Sequence, residues 1–435
     1  MEDIDFSEEQ LLFIANEQKH IERDFKDNSV FKTKEIREII EPWLTAVFQS
    51  EHLSLLIGSG LTNAISSMTK ITTICMPRID FKCEYKDSIK KFADEEAKNM
   101  DRGQANFEDD LRVATELLKG FKILGDEKEA EVLNGEINNK LSSFLKEILK
   151  NEGCFFNSEK YQEAMDILKR FLISFSARAS SRDRLNIFTT NYNRFIEYGL
   201  DEAGILTLDR FIGKIKPIMR FHRVDLDYHY NPPGIRGEPR YVEGVVRFIK
   251  LHGSLDWRFN NTEIIREPIS FGSSINEEFF SDPLDNVVIY PNSSKAIETA
   301  YFPYSELFRD FSTAICRPNS VLVTYGYGFG DSHINRIIED MLTIPSTHIV
   351  IISYDKVDGR LEKIVKKINK SQLTLLIGSH MADLQVLTDN YLPKSAIDRI
   401  TERKHNILEK RGENKKGDTN KTQCNPVETS KFTED

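Results

Sequence analysis

Two stretches of this chain are apolar on consecutive positions and then break into glycines. They are Leu53–Ile57 before Gly58-Ser59-Gly60, and Val321–Tyr325 before Gly326-Tyr327-Gly328. A strand that is apolar on every position is buried on both faces, the habit of parallel sheets sandwiched between helices. Further runs of this kind are Leu185–Thr190, Val245–Leu251, Val287–Tyr290, His348–Tyr354 and Leu373–Ile377. Several lead into helical spacing, which predicts an α/β fold, a doubly wound parallel sheet covered on both sides.

Other regions have a different texture. From about 80 to 180 the chain is charged, poor in Gly and Pro, and spaced helically (Leu111, Val113, Leu117, Leu118; Leu141, Phe144, Leu145, Ile148), which predicts a large α-helical insertion. Residues 1–50 read as an N-terminal layer of two helices. The first starts from a capping box at Ser7 and Gln10, and the second runs over Ile36–Val47 with Pro42 as a potential kink. The stretch from about 210 to 245 reads as an ordered loop or small module, and 411–435 as a disordered tail.

Bulk properties exclude several classes. A formal net charge of −10 gives no general attraction for phosphate backbones, so nucleic-acid binding over the whole surface is disfavoured. The five cysteines are odd in number and lack Cys-x-x-Cys spacing, which argues against a disulfide framework or a thiolate zinc site. The start MEDIDFSEEQ has no signal-peptide character, and no apolar run approaches the roughly 20 residues of a membrane span. The expectation is a cytoplasmic protein without membrane association.

In an open parallel sheet, ligands bind beyond the carboxyl ends of strands, and four such ends carry unusual residues. Gly58-Ser59-Gly60-Leu61-Thr62 would let backbone and a helix N-terminus approach a pyrophosphate, though a Gly-x-Gly is equally a tight turn. Thr189-Thr190-Asn191-Tyr192-Asn193 offers uncharged groups for ribose hydroxyls or a water; taken singly, it is also a helix cap. His252, in Leu251-His252-Gly253-Ser254, suits a general base, or else a satisfied structural histidine. Gly326-Tyr327-Gly328-Phe329-Gly330-Asp331-Ser332-His333 repeats the glycine turn, with Asp331 or Ser332 capping a helix from near Ile334. His222, Asp225, Asp227 and His229 fall within eight residues, but their spacing in an aromatic-rich loop is not diagnostic and reads as a surface loop. No metal site is assigned.

In this order the four segments resemble the SIR2 superfamily, whose pattern runs from a Gly-Ala-Gly-x-Ser turn through Thr-x-Asn-x-Asp and a His-Gly pair to a late Gly-Thr-Ser-like turn. KLHGSLDW at 250–257, with GYGFGD and HIN from 326 to 335, looks most like bacterial SIR2-like proteins of antiphage defence. The resemblance spans about residues 50–390. It implies a Rossmann-like NAD-binding domain over 51–395, with NAD as substrate.

By the same similarity, Asn191 and His252 are the implied catalytic residues. The implied NAD contacts are Gly58, Ser59, Gly60, Leu61, Thr62, Thr190, Asn193, Gly326, Tyr327 and Gly328. This sequence has Asn193 where the family has Asp, and Gly328 where it has Ser. It also lacks the four zinc-binding cysteines of protein-deacylating sirtuins, so no zinc is expected and NAD hydrolysis is favoured over deacylation. The resemblance further implies a homo-oligomer, with a HerA-type ATPase as candidate partner. A regulatory or scaffold subunit that binds NAD or ADP-ribose is the alternative.

Overall fold

The computed structural model describes residues 4–21, 31–73, 77–99, 105–220, 227–230, 240–260, 263–273, 283, 287–289 and 303–394. One compact unit runs over Met1–Pro393; of the second, Lys394–Asp435, only Lys394 is described, so the expected tail lies outside the described residues.

The chain opens with β1 (Leu11–Ile14), β2 (Glu17–Lys19), α1 (Thr33–Phe48), β3 (His52–Ile57) and α2 (Ser59–Thr69). Then come α3 (Lys86–Asn99), α4 (Phe107–Leu124), α5 (Glu127–Phe156) and α6 (Tyr161–Ser176), before β4 (Asn186–Thr189) and α7 (Phe195–Glu202). Short strands β5 (Leu206–Leu208), β6 (Phe211–Ile212), β7 (Ile218–Met219), β8 (His229–Tyr230) and β9 (Arg240–Tyr241) lead to β10 (Val245–Lys250), β11 (Gly253–Asn260), β12 (Glu263–Arg266) and β13 (Val287–Ile289). The remainder is α8 (Tyr304–Ile315), β14 (Ser320–Tyr325), α9 (Ser332–Leu342), β15 (His348–Ser353), α10 (Arg360–Val365), β16 (Leu373–Ile377) and α11 (Leu384–Val386).

Nine strands form the main sheet in the order β2-β1-β16-β15-β14-β3-β4-β10-β5. From β16 to β5 every pairing is parallel; β1 and β2 add antiparallel at one edge. Alternate side chains enter two separate cores. Leu53, Leu55 and Ile57 pack with Ile40, Leu44, Ile65, Leu168 and Phe171 on one face. Leu56, Leu322 and Ile351 pack with Phe308, Phe311, Ile334 and Ile338 on the other. Burial on both faces is why these strands read as near-continuous apolar runs, broken only by small hydroxyl residues such as Ser54 and Thr324. Among the described residues, no helix is long and apolar enough to cross a membrane.

Two expectations need correction. The first N-terminal helix is a β-hairpin: Ala15 and Asn16 take φ of 53° and 68°, a two-residue turn whose twist matches paired strands. LLFI pairs with β16 (Leu11↔Ile377), and a buried run of four cannot be told from a helix by periodicity. Gln10 caps no helix; its side-chain oxygen accepts from His380 N and Met381 N, each at 3.2 Å. Second, Val287–Ile289 belongs to a five-stranded second sheet, β13-β11-β12-β7-β6, where it runs antiparallel to β11. The segment after the His-Gly pair, Gly253–Asn260, is β11 of the same second sheet, between β13 and β12.

The helical insertion forms as expected and has its own core, built on Leu111, Leu118, Leu133, Ile137 and Leu145. Tyr192 and Leu255, from the two segments beside the main sheet, are part of that core.

Candidate active site

Register brings the four segments together. Across adjacent parallel strands Tyr325 pairs with Ile57, Ile57 with Thr189 and Thr189 with Lys250, so all four strands end at one level. The next residues along each chain therefore form one row: Gly326, Gly58, Thr190 and Leu251, with His252 following. The chain departs from β3 toward β4 on one side and returns at β14 on the other, so the row crosses a topological switch point.

The glycines serve the fold before they serve a ligand. A Cβ on Gly58 would stand 2.4 Å from Gly326 O, and one on Gly60 2.5 Å from Gly326 Cα. Gly326 has φ +57°, and Gly60 N donates to its carbonyl at 3.0 Å. These three glycines let two turns touch backbone to backbone. Gly328 differs: a Cβ there meets only Val357 Cγ1 at 3.5 Å and Arg360 Nη2 at 4.0 Å.

Two cavities open on this row and share Ser59, Asn63, Tyr327, Gly328 and Arg360. The larger, ≈ 490 Å³, lies beyond β14 and β15 and takes in Gly60, Gly326, Ser353, Asp355 and Asp383. The smaller, ≈ 240 Å³, takes in Gly58, Thr62, Thr190, Asn191, Asn193 and His252, with Glu108, Asn106, Phe144 and Ile148 as a wall from the helical insertion. Eleven of the twelve expected residues border one cavity or the other. The exception is Leu61, fully buried in the hydrophobic core.

Asn191 does not cap α7, whose N-cap is Arg194. Its amide nitrogen donates to Gly58 O at 2.9 Å and Thr62 Oγ1 at 3.5 Å, and its backbone N–H donates to Thr189 Oγ1 at 3.1 Å. Asn193 Nδ2 also donates to Thr62 Oγ1, at 2.8 Å, while its buried Oδ1 has no hydrogen-bond partner. Both amides thus commit an N–H to protein, and Asn193 keeps a buried carbonyl oxygen able to accept from a hydroxyl or water. His252 is 4 % exposed, with Nε2 3.9 Å from Asp331 Oδ2.

Residues not singled out from sequence hold this loop in place. Lys250, 1 % exposed, donates to Asn193 O at 2.6 Å and Tyr192 O at 3.3 Å, and pairs with Glu197 at 2.7 Å. Burial pushes the Glu197 carboxyl up against the pull of that ammonium. Tyr192 OH donates to Glu108 Oε1 at 2.9 Å; burial first, then that carboxylate, pushes the phenol well above its ordinary value. Glu152 of α5 pairs with Arg194 at 2.7 Å and accepts from its backbone N–H. Two buried carboxylates of the insertion therefore grip the Thr189–Arg194 segment. A lysine closing the strand VVRFIK, after the apolar pair Phe248-Ile249, is the one signal in the sequence that pointed here.

Of the weighed metal cluster, His222 and Asp225 lie outside the described residues. Asp227 is held by Arg184 and Arg247, and the His229 ring lies 4.7 Å from that of Tyr241. The three described cysteines, Cys83, Cys154 and Cys316, are free thiols.

Residues 185–375 match the family model described as SIR2-like domain. The chain carries a SIR2-like domain over these residues. The match begins at Leu185, before β4, and ends within β16, so the SIR2-like domain spans the Asn191 loop, His252 and the Gly326 turn. SIR2-like domains bind NAD, which gives this chain an NAD-related function at the level of the family. No curated protein matches the chain significantly.

Proposed function

We propose that this protein hydrolyses NAD at the nicotinamide–ribose bond. The observation that carries the reading is the pair of adjoining cavities joined at Arg360. The larger suits the adenosine half, Arg360 and the α2 N-terminus suit the pyrophosphate, and the smaller suits the nicotinamide riboside. Nicotinamide leaves as a neutral molecule from a cationic pyridinium, so the protein need supply little acid. Its work is to hold the ribose, favour the oxocarbenium-like transition state and deliver water.

In this reading the side-chain carbonyl oxygens of Asn191 and Asn193 accept from the ribose hydroxyls and the attacking water. As the water oxygen bonds to ribose C1, nicotinamide leaves with the electron pair of the broken C–N bond, and His252 takes the proton that the water loses. Asn193 offers no negative charge, and Glu108 brings a carboxylate to the same cavity from α4. Deacylation is disfavoured because the four-cysteine module is missing from the sequence.

The test is nicotinamide release from NAD by the purified protein, alone and with candidate partners, against Asn191→Ala and His252→Ala. Release that disappears in both variants supports hydrolysis. NAD bound but never cleaved supports the regulatory-subunit reading instead. NAD depletion in antiphage defence, self-assembly and a HerA-type ATPase partner rest on the likeness of KLHGSLDW and GYGFGD-x-HIN-type segments alone. Co-purification and phage-challenge assays test them.

A further inference from the structure

The expected helix cap at Asp331 makes no side-chain capping bond. Its carboxylate instead faces two imidazoles. His252 arrives from the end of β10, and Asp331 and His333 from the first turn of α9. One ligand atom from each lies within 4.8 Å of the others.

From these three side chains we infer a binding site for a zinc-type divalent ion at the rim of the smaller cavity. Two imidazoles and one carboxylate suit zinc and its transition-metal neighbours rather than calcium or magnesium, which take oxygen donors. Around tetrahedral zinc, with bonds of about 2.0–2.2 Å, ligand atoms stand roughly 3.4 Å apart, so side-chain adjustments of about an ångström close the cluster. His252 Nε2 and Asp331 Oδ2 are already at 3.9 Å.

The supporting structure is firm. Asn335 Nδ2 donates to Phe329 O at 3.0 Å and Tyr327 OH donates to Asn335 Oδ1 at 3.2 Å, fixing the turn that carries Asp331 and His333. The His333 ring packs edge-on against Phe308, with centroids 4.5 Å apart. Asp331 and His252 both border the cavity, which leaves a further coordination position open to solvent or a ligand, the arrangement of reactive rather than structural sites. This donor set is unrelated to the thiolate module that the sequence lacks. An ion here would occupy the imidazole nitrogen that the hydrolysis reading uses as base, so the two readings compete for His252, and the metal titration below is read independently of activity.

The test is titration of the full-length, chelator-treated protein with Zn²⁺ by calorimetry, and with Co²⁺ by visible absorption. We expect one tight equivalent in the wild type and the d–d bands of a low-coordinate Co²⁺ site. Affinity should fall at least about 10-fold in both Asp331→Asn and His333→Gln. The variants should keep the wild-type melting temperature in chelator, which separates ligand loss from misfolding. Equal affinity in wild type and variants, or a wild-type Co²⁺ spectrum no different from that of the hydrated ion, would overturn the site whether or not the variants fold.

Discussion

The larger cavity has small residues at the touching turns (Ser59, Gly60, Ala64, Gly326, Gly328, Ala382) beside the charged Asp355, Asp383 and Arg360, whereas the smaller gathers the buried polar side chains Thr62, Asn191, Asn193, His252 and Glu108 against Phe144 and Ile148 of the insertion. The first is made by two touching turns of the parallel sheet. The second requires the helical insertion, which closes it and braces its loop through Tyr192–Glu108 and Arg194–Glu152. The contrast teaches a division of labour: the sheet edge offers shape and backbone donors for binding, while the inserted helices create the buried polar environment that chemistry needs.

Substitutions on the two sides should therefore fail differently. The largest effect is expected in the smaller cavity. His252→Ala and Asn191→Ala should lower kcat for nicotinamide release by about 10²–10⁴-fold with little change in NAD affinity measured by calorimetry. A loss of affinity equal to the loss of rate would break the comparison.

At the junction, Arg360→Ala should weaken NAD binding roughly 10–100-fold while leaving kcat nearly unchanged, as expected for a charge-assisted contact outside the reacting bond. In the larger cavity, Gly60→Ala sets a Cβ 2.5 Å from Gly326 Cα, and the turns must part. Overpacking of this kind costs about 1–3 kcal/mol, visible as a lower melting temperature with weakened NAD binding.

The smallest effect on NAD handling is expected at His348, at the opposite end of β15. Its neutral ring bonds Thr374 Oγ1 at 2.8 Å, and burial lowers its pKa to about 4. Between about pH 6.5 and 4 the unfolded chain takes up this proton more readily than the folded one, so stability falls as pH falls through that window. His348→Gln should flatten the fall in melting temperature over that range without altering NAD binding at pH 7.

Much of this arrangement was legible in the sequence because it depends on local rules. Gly58-Ser59-Gly60 and Gly326-Tyr327-Gly328 follow apolar strands, Asn191 and His252 follow two more, and a helical insertion is plain from its spacing. Where local rules were ambiguous the reading failed. LLFI is too short for its periodicity to decide, and VVI has the composition of a parallel strand but pairs in the second sheet. Glu108 is one of three acids in the first turn of α4, and Arg360 is one of 59 basic residues in the chain. Neither carries a local mark of its place at the cavity.

The sequence by itself determined the alternation of buried strands and helices, and hence which residues would stand at strand ends, because burial on two faces dictates an apolar run and a turn dictates glycine. Only the tertiary structure decided that Tyr325, Ile57, Thr189 and Lys250 finish in register, that Leu61 faces the core, and that Glu108, Arg360 and Asp331 meet the same cleft. Those outcomes depend on contacts between residues far apart in the chain, which are set by sheet order and helix packing rather than by any local preference.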